Sequence, residues 1–156
     1  MKKEVNEITF DDVLLINSLC LFEGEPRQLV NKGAVESALG NQFQPYSRKE
    51  EAFASVYKSL VINHGFMNGN KRTGVISLYL ASKMLGNELA LSDEELFNLT
   101  MKLASEGGSK IKVEDIANKV FKNSSSKENV DTIKDISSLV KQYIKEHERL
   151  MKELAK

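Results

Sequence analysis

An imidazole, His64, and two adjacent cations, Lys71 and Arg72, are joined only by the short run Gly65-Phe66-Met67-Asn68-Gly69-Asn70. A histidine with an ordinary pKa of about 6.5 can take a proton near neutral pH. Lysine offers a phosphate a point charge, and arginine offers a planar donor fork. Gly69 lets the backbone approach a ligand with no side chain in the way. The loop thus joins a potential base to a phosphate cradle, and a phosphate-bearing ligand is its natural occupant.

Two helical patterns must position this loop. Upstream, from Glu50 to Asn63, Phe53, Val56, Tyr57, Leu60 and Val61 recur at helix-face spacing. Downstream, Val75 to Leu85 is apolar-rich and closes at Gly86-Asn87, a helix stop. The end of the loop therefore forms the first turn of the second helix. A first turn carries N–H groups without intrahelical partners and the positive end of the peptide dipoles, which together favour an anion. Phe66 is expected to plug the loop into the core from below and hold His64 in place.

Taken singly, a histidine near a helix end and a Gly-Asn-Lys-Arg turn are ordinary structural features. As one ordered string, His64 to Arg72 resembles the Fic/Doc family signature H-x-F-x-[DE]-[GA]-N-[GK]-R, and Lys71 after Asn70 makes it similar to the Doc (death-on-curing) branch. The resemblance covers roughly residues 10–121 and implies an all-α, Fic/Doc-like helical bundle. It also implies a Doc-like toxin of a toxin–antitoxin system, transferring the terminal phosphate of ATP to a Ser/Thr hydroxyl of a translation protein similar to elongation factor Tu. The family roles fall on His64 as catalytic base, on Gly69 and Asn70 as the phosphate nest, and on Lys71 and Arg72 as cations neutralising the transferring group. A small cognate antitoxin is the implied partner. The alternatives are a Fic-type protein AMP transferase and a catalytically silent Fic-fold module.

Asn68 departs from the signature, where the family has Asp or Glu to hold Mg²⁺ between phosphates. An amide supplies a carbonyl oxygen but no charge, and Mg²⁺ prefers carboxylates with phosphate oxygens and waters. Three readings stay open: an enzyme whose Mg²⁺ is held chiefly by ATP, a divergent enzyme using another phosphate compound, or an inactive relative that still binds nucleotide. The persistence of His64, Lys71 and Arg72 favours the first. The resemblance further maps a target-aligning flap to residues 39–46, with Phe43 or Tyr46 as an apolar rest for the target. The same residues, read alone, are a loop or small hairpin.

Composition narrows the partners. The chain has 156 residues, 41% hydrophobic, with 22 basic and 22 acidic side chains, so a core can form and the net charge is zero. That balance argues against general nucleic-acid or anionic-membrane binding. Cys20 is the single cysteine, lies in an apolar run and reads as buried filler; with it, no intrachain disulfide can form. The apolar run 13–22 is far short of the roughly 20 residues a membrane span needs, and Glu4 and Glu7 interrupt any leader pattern. A cytoplasmic location is expected.

In chain order, Thr9 with Asp12 reads as a capping box opening a helix that stops at Gly24-Glu25-Pro26. Asn31 caps a short helix from Lys32 to Leu39. Ser47 with Glu50, and Ser92 with Glu95, read as two more capping boxes. The second opens a helix ending at Gly107-Gly108, and helical spacing resumes from Glu114 to Phe121. Residues 122–129 are Ser-rich and read as a linker; 124–129 also fit the degenerate pattern of a Fic inhibitory helix. In that family the Glu of the pattern pairs with a second Arg, and Val75 stands in its place here, so a linker explains them. Within 130–156 a single amphipathic helix is expected. Ile133, Ile136, Val140, Tyr143, His147, Leu150 and Leu154 repeat at coiled-coil spacing, which suggests a homo-oligomer or docking arm. Ile144 and Met151 widen that face, so the helix could instead pack on its own domain. His147 is expected to be a partly buried residue of that seam.

Overall fold

A computed structural model describes residues 3–4, 7–122, 132–133 and 135–155. The fold is all-α. Eight helices among these residues are α1 (Phe10–Cys20), α2 (Lys32–Gly40), α3 (Lys49–Ile62), α4 (Asn70–Met84), α5 (Asp93–Ala104), α6 (Val113–Val120), α7 (Ile136–Glu146) and α8 (Glu148–Leu154). A two-residue antiparallel ladder, β1 (Lys3–Glu4) on β2 (Thr132–Ile133), pairs the residues before α1 with those before α7.

α4 is the axis of the bundle. Val75, Ile76, Leu78, Leu80 and Ala81 are all fully buried, so this helix is enclosed nearly all round rather than amphipathic. Its closest neighbour is α3, and the approach is set by Gly74. A Cβ there would lie 2.7 Å from the Val61 side chain and 3.4 Å from the Tyr57 carbonyl, so only glycine lets the two backbones meet this closely. Because the His64 loop joins these two helices, their contact fixes the distance the loop must span.

The helix ends follow local chemistry in most places. Thr9 and Asp12 exchange hydrogen bonds of 3.2 and 2.9 Å at the start of α1, and Ser92 and Glu95 do the same at α5, 3.2 and 3.0 Å. Asn31 accepts from the Ala34 amide at the start of α2. After α4, Gly86 adopts a left-handed φ of 64° while the Asn87 amide donates to the Ser82 carbonyl, closing the helix. The expected box at Ser47 and Glu50 does not form. α3 begins at Lys49, and the Ser47 hydroxyl donates instead to Glu51, one residue past the position a box requires.

Of the expected linker 122–129, residues 123–129 lie outside the described residues, and so does the segment with the inhibitory-helix pattern, 124–129. Beyond it, the single C-terminal helix is corrected to two. His147 has φ −118° and ψ 34°, ends α7 and precedes α8. α7 lies against α1 and α4, and α8 against α5 and α4. Val140, Leu150, Met151 and Leu154, part of the supposed coiled-coil seam and its widened face, are buried in the chain's own core. The apolar stripe is therefore spent within the molecule, because a bend after Glu146 lets both short helices follow the curved surface of the bundle.

Candidate functional site: the loop between the two central helices

The loop is held from three sides. On one, the segment before α2 runs antiparallel to it: Leu29 pairs with Phe66, the Met67 amide donates to the Gln28 carbonyl, and the Gly65 carbonyl accepts from both the Val30 and Asn31 amides. Gly65 has no room for a side chain, since Val35 fills the space a Cβ would take. From below, Phe66 is buried in the core at 3% exposure. From α4, the Asn70 side chain closes the loop on itself, its Oδ1 accepting from the Phe66 amide (3.0 Å) and its Nδ2 donating to the Phe66 carbonyl (2.7 Å).

A fourth tie was not foreseen. Asn17 of α1 is fully buried and donates from Nδ2 to the Asn68 carbonyl (2.9 Å) and to the Thr73 hydroxyl (3.1 Å). A lone amide on the buried stripe of Val13, Ile16 and Cys20 is the sequence signal that could have revealed it. Gly69, with φ 80°, packs its α-carbon beside this amide, where a Cβ would come 3.2 Å from Nδ2.

Against this rigid frame, His64 is exposed and has φ 50°, the one left-handed non-glycine among the described residues. Its ring has no hydrogen-bond or ion-pair partner among them. α4 starts on Gly69 with no side-chain cap and no acid in its first turn, and the first intrahelical bond runs from the Thr73 amide to the Gly69 carbonyl. The amides of Asn70, Lys71 and Arg72 thus have no protein acceptor among the described residues. Lys71 is half-buried and unpaired among them as well. Together these give a donor-rich helix start beside an exposed imidazole.

Arg72 requires a correction. It is only 2% exposed, and its guanidinium is occupied by protein: Nη1 and Nη2 each donate 2.8 Å bonds to the two oxygens of Glu25, Nη1 also donates to the Cys20 carbonyl (2.6 Å), and the group lies 4.6 Å over the Phe22 ring. The fork expected to hold phosphate instead ties the end of α1 to α4. Glu25 also accepts from the Phe22 amide, and the Arg72 hydrogen bonds hold its carboxyl below the usual range. The sequence showed Gly24-Glu25-Pro26 only as a helix stop; a carboxylate inside a turn was the overlooked signal. Cys20, beside Arg72, is buried, and burial pushes its thiol up to about 12, which makes it inert filler.

The roles of Asn70 and Asn68 also shift. Asn70 serves the loop through its side chain, which leaves only its backbone amide for a nest. Asn68 donates from Nδ2 to the Pro26 carbonyl (3.2 Å). The donor set does not fit a resident Mg²⁺: Asn68 brings one neutral oxygen, the nearby carboxylate of Glu25 is committed to Arg72, and no group of three metal-ligating acids, histidines or cysteines occurs among the described residues.

The region mapped as a flap is not a hairpin. Residues Asn41–Phe43 form one turn of 3-10 helix, anchored by the buried Gln42, whose amide bonds both the amide and the carbonyl of Ile8 and also the Leu39 carbonyl. Tyr46 donates to Ser55, while Phe43 stands 66% exposed. The extended segment that borders the loop is 28–31, with Val30 half exposed on it and Met67 half exposed on the loop. No family model matches the chain, and no curated protein or solved structure is significantly similar to it.

Proposed function

We propose that the loop from His64 to Arg72 is the active site of a Doc-like phosphotransferase built on a Fic/Doc-type helical bundle. The observation that supports it most is the pairing of an exposed, unpartnered imidazole with an uncapped, donor-rich start of α4, both held by a loop tied at Phe66 and Asn70. In this reading the terminal phosphates of ATP rest on the amides of residues 70–72, with Lys71 neutralising their charge. His64 takes the proton of a target Ser or Thr hydroxyl; that oxygen bonds to the γ-phosphorus as the bond to the β-phosphate oxygen breaks, and ADP leaves. Arg72 acts through position, keeping α1 and α4 in register. The metal of such a reaction would arrive with the nucleotide.

The remaining attributes belong to the same reading: a translation factor as target, a small antitoxin as silencer, and a cytoplasmic setting, compatible with no described helix being long and apolar enough to cross a membrane. Self-association through residues 133–154 would have to use what those helices leave exposed. A second reading, a silent module that binds nucleotide or partner without catalysis, is favoured by the engagement of Arg72 with Glu25 and by the neutral Asn68. The test incubates the full chain and its His64→Ala variant with cell extract and ATP labelled at either the γ or the α phosphorus. Transfer of γ label that falls at least about 100-fold in the variant, the scale of losing a general base, is expected. α-label on a protein would replace the kinase by an AMP transferase, and no label at all would leave the silent module.

A further inference from the structure

Asn17 is a costly residue where it stands. It is fully buried on the stripe of α1 that also carries Val13, Ile16 and Cys20, and its Oδ1 has no hydrogen-bond partner among the described residues. A buried acceptor without a partner carries a desolvation penalty that an apolar side chain of similar size would not. The compensation lies at the other end of the amide. Nδ2 donates to the Asn68 carbonyl at 2.9 Å and to the Thr73 hydroxyl at 3.1 Å, so both of its hydrogens are engaged.

The bond to Asn68 settles the direction of a peptide plane. In a trans peptide the carbonyl and the N–H that follows it point opposite ways. With the Asn68 oxygen drawn toward α1, the Gly69 N–H faces away from α1. Gly69 is left-handed, with φ 80° and ψ 18°, and Asn70 opens α4 in the right-handed helical conformation. That succession curls consecutive N–H groups toward one point, a concave nest that takes an anion. The nest amides are those of Gly69, Asn70 and Lys71. None of them has an acceptor among the described residues, and all three residues are partly exposed, within reach of a ligand.

We propose that Asn17 is a positioning residue for phosphate: by holding the peptide between Asn68 and Gly69, it keeps the Gly69 N–H in a nest that receives one tetrahedral phosphate oxyanion. This role rests on the phosphate-binding reading of the loop given above, and it adds a residue of α1 and a donor that precedes the helix. Asn17 touches no ligand; it acts through the Asn68 carbonyl. Without that bond the peptide is free to turn over, which swings the N–H away and presents a carbonyl oxygen to the anion instead. The bond to Thr73 does a different job, tying α1 to the first turn of α4 without bearing on that peptide.

The test titrates the isotope-labelled full-length chain with inorganic phosphate at constant ionic strength and follows the Gly69, Asn70 and Lys71 amides by NMR. In the wild type all three signals are expected to move together and saturably. Asn17→Leu, near in size but without a donor, should weaken phosphate binding about tenfold, the scale of one hydrogen bond to a charged group. Its Gly69 response should vanish while Asn70 and Lys71 still respond. Thr73→Val should bind phosphate as the wild type does, which separates peptide orientation from the packing of α1 on α4. Should Asn17→Leu not fold, Asn17→Ser, whose hydroxyl ends one bond short of the amide nitrogen, carries the same expectation. No saturable movement of the Gly69 amide in the wild type, an unchanged Gly69 response in the Asn17 variant, or an equal loss in Thr73→Val would each overturn the role. Transfer from labelled ATP is read separately: a wild type that transfers no γ label yet shows the Asn17-dependent nest upholds the positioning role and overturns only the phosphotransferase.

Discussion

The two ends of α4 are built on opposite principles. At its N-terminus, donors prevail: uncapped amides, Lys71, and an imidazole with no partner among the described residues, held by backbone bonds to the segment 28–31 and by the Asn70 side chain. At its C-terminus, partnered side chains prevail: Glu88 is ion-paired with Lys122 and the His147 imidazole is fixed by Asp93, brought together from the α4–α5 loop, α5 and the α7–α8 bend. The first end is legible as a string because one loop supplies nearly all of it. The second is assembled across 68 positions between Tyr79 and His147, so no local pattern announces it. The contrast teaches that a motif marks chemistry only where the chain is contiguous.

The N-terminal end is most vulnerable at Glu25. Replacing it with Ala leaves the guanidinium of Arg72 buried without its counter-charge, and Glu25→Ala is expected to cost about 3 kcal/mol, the low end for breaking a buried pair. The penalty should depend on pH. Because the folded carboxyl titrates below its ordinary 4.5, the pair's contribution is complete above that pH and is lost as pH falls through the lower folded value. Urea denaturation of wild type and variant at pH 7, and again in steps below pH 4.5, checks both parts. A constant gap across the series would show that the carboxylate is not what Arg72 needs.

Asn70→Ala comes next. It removes both bonds that fold the loop onto Phe66 and should cost about 2 kcal/mol, near 1 kcal/mol per bond. Loss of hydrogen-exchange protection should be concentrated at the Phe66 amide; a variant as stable as wild type would mean that the segment 28–31 holds the loop alone. The smallest effect is expected at the far end. Asp93→Asn touches a half-exposed pair and should cost less than about 1 kcal/mol in the same denaturation assay. A larger loss would make the α7–α8 bend a structural keystone.

Sequence reading succeeded where short-range chemistry decides. The capping pairs Thr9/Asp12 and Ser92/Glu95, the stop at Gly86 and the burial of Phe66 each depend on neighbours within a few residues or on one apolar ring. It failed where a tertiary partner takes over. Ser47 met Glu51 instead of Glu50; Arg72 found a carboxylate 47 residues away; and the heptad-like stripe after Ile133 turned inward because its helix breaks at His147. The segment mapped as a flap shows the same limit. Gln42 reads as a loop residue, yet it is anchored by a chain segment 34 positions earlier.

The left-handed backbone at residue 64 carries a consequence for how this position should vary. At φ 50° a β-branched side chain is strained, whereas Gly and Asn adopt that geometry readily and Asp or His at moderate cost. Selection of a mutant library for solubility alone would then enrich Gly and Asn there. Retention of imidazole under selection for cellular effect would separate a residue kept for what it does from one kept for how it bends.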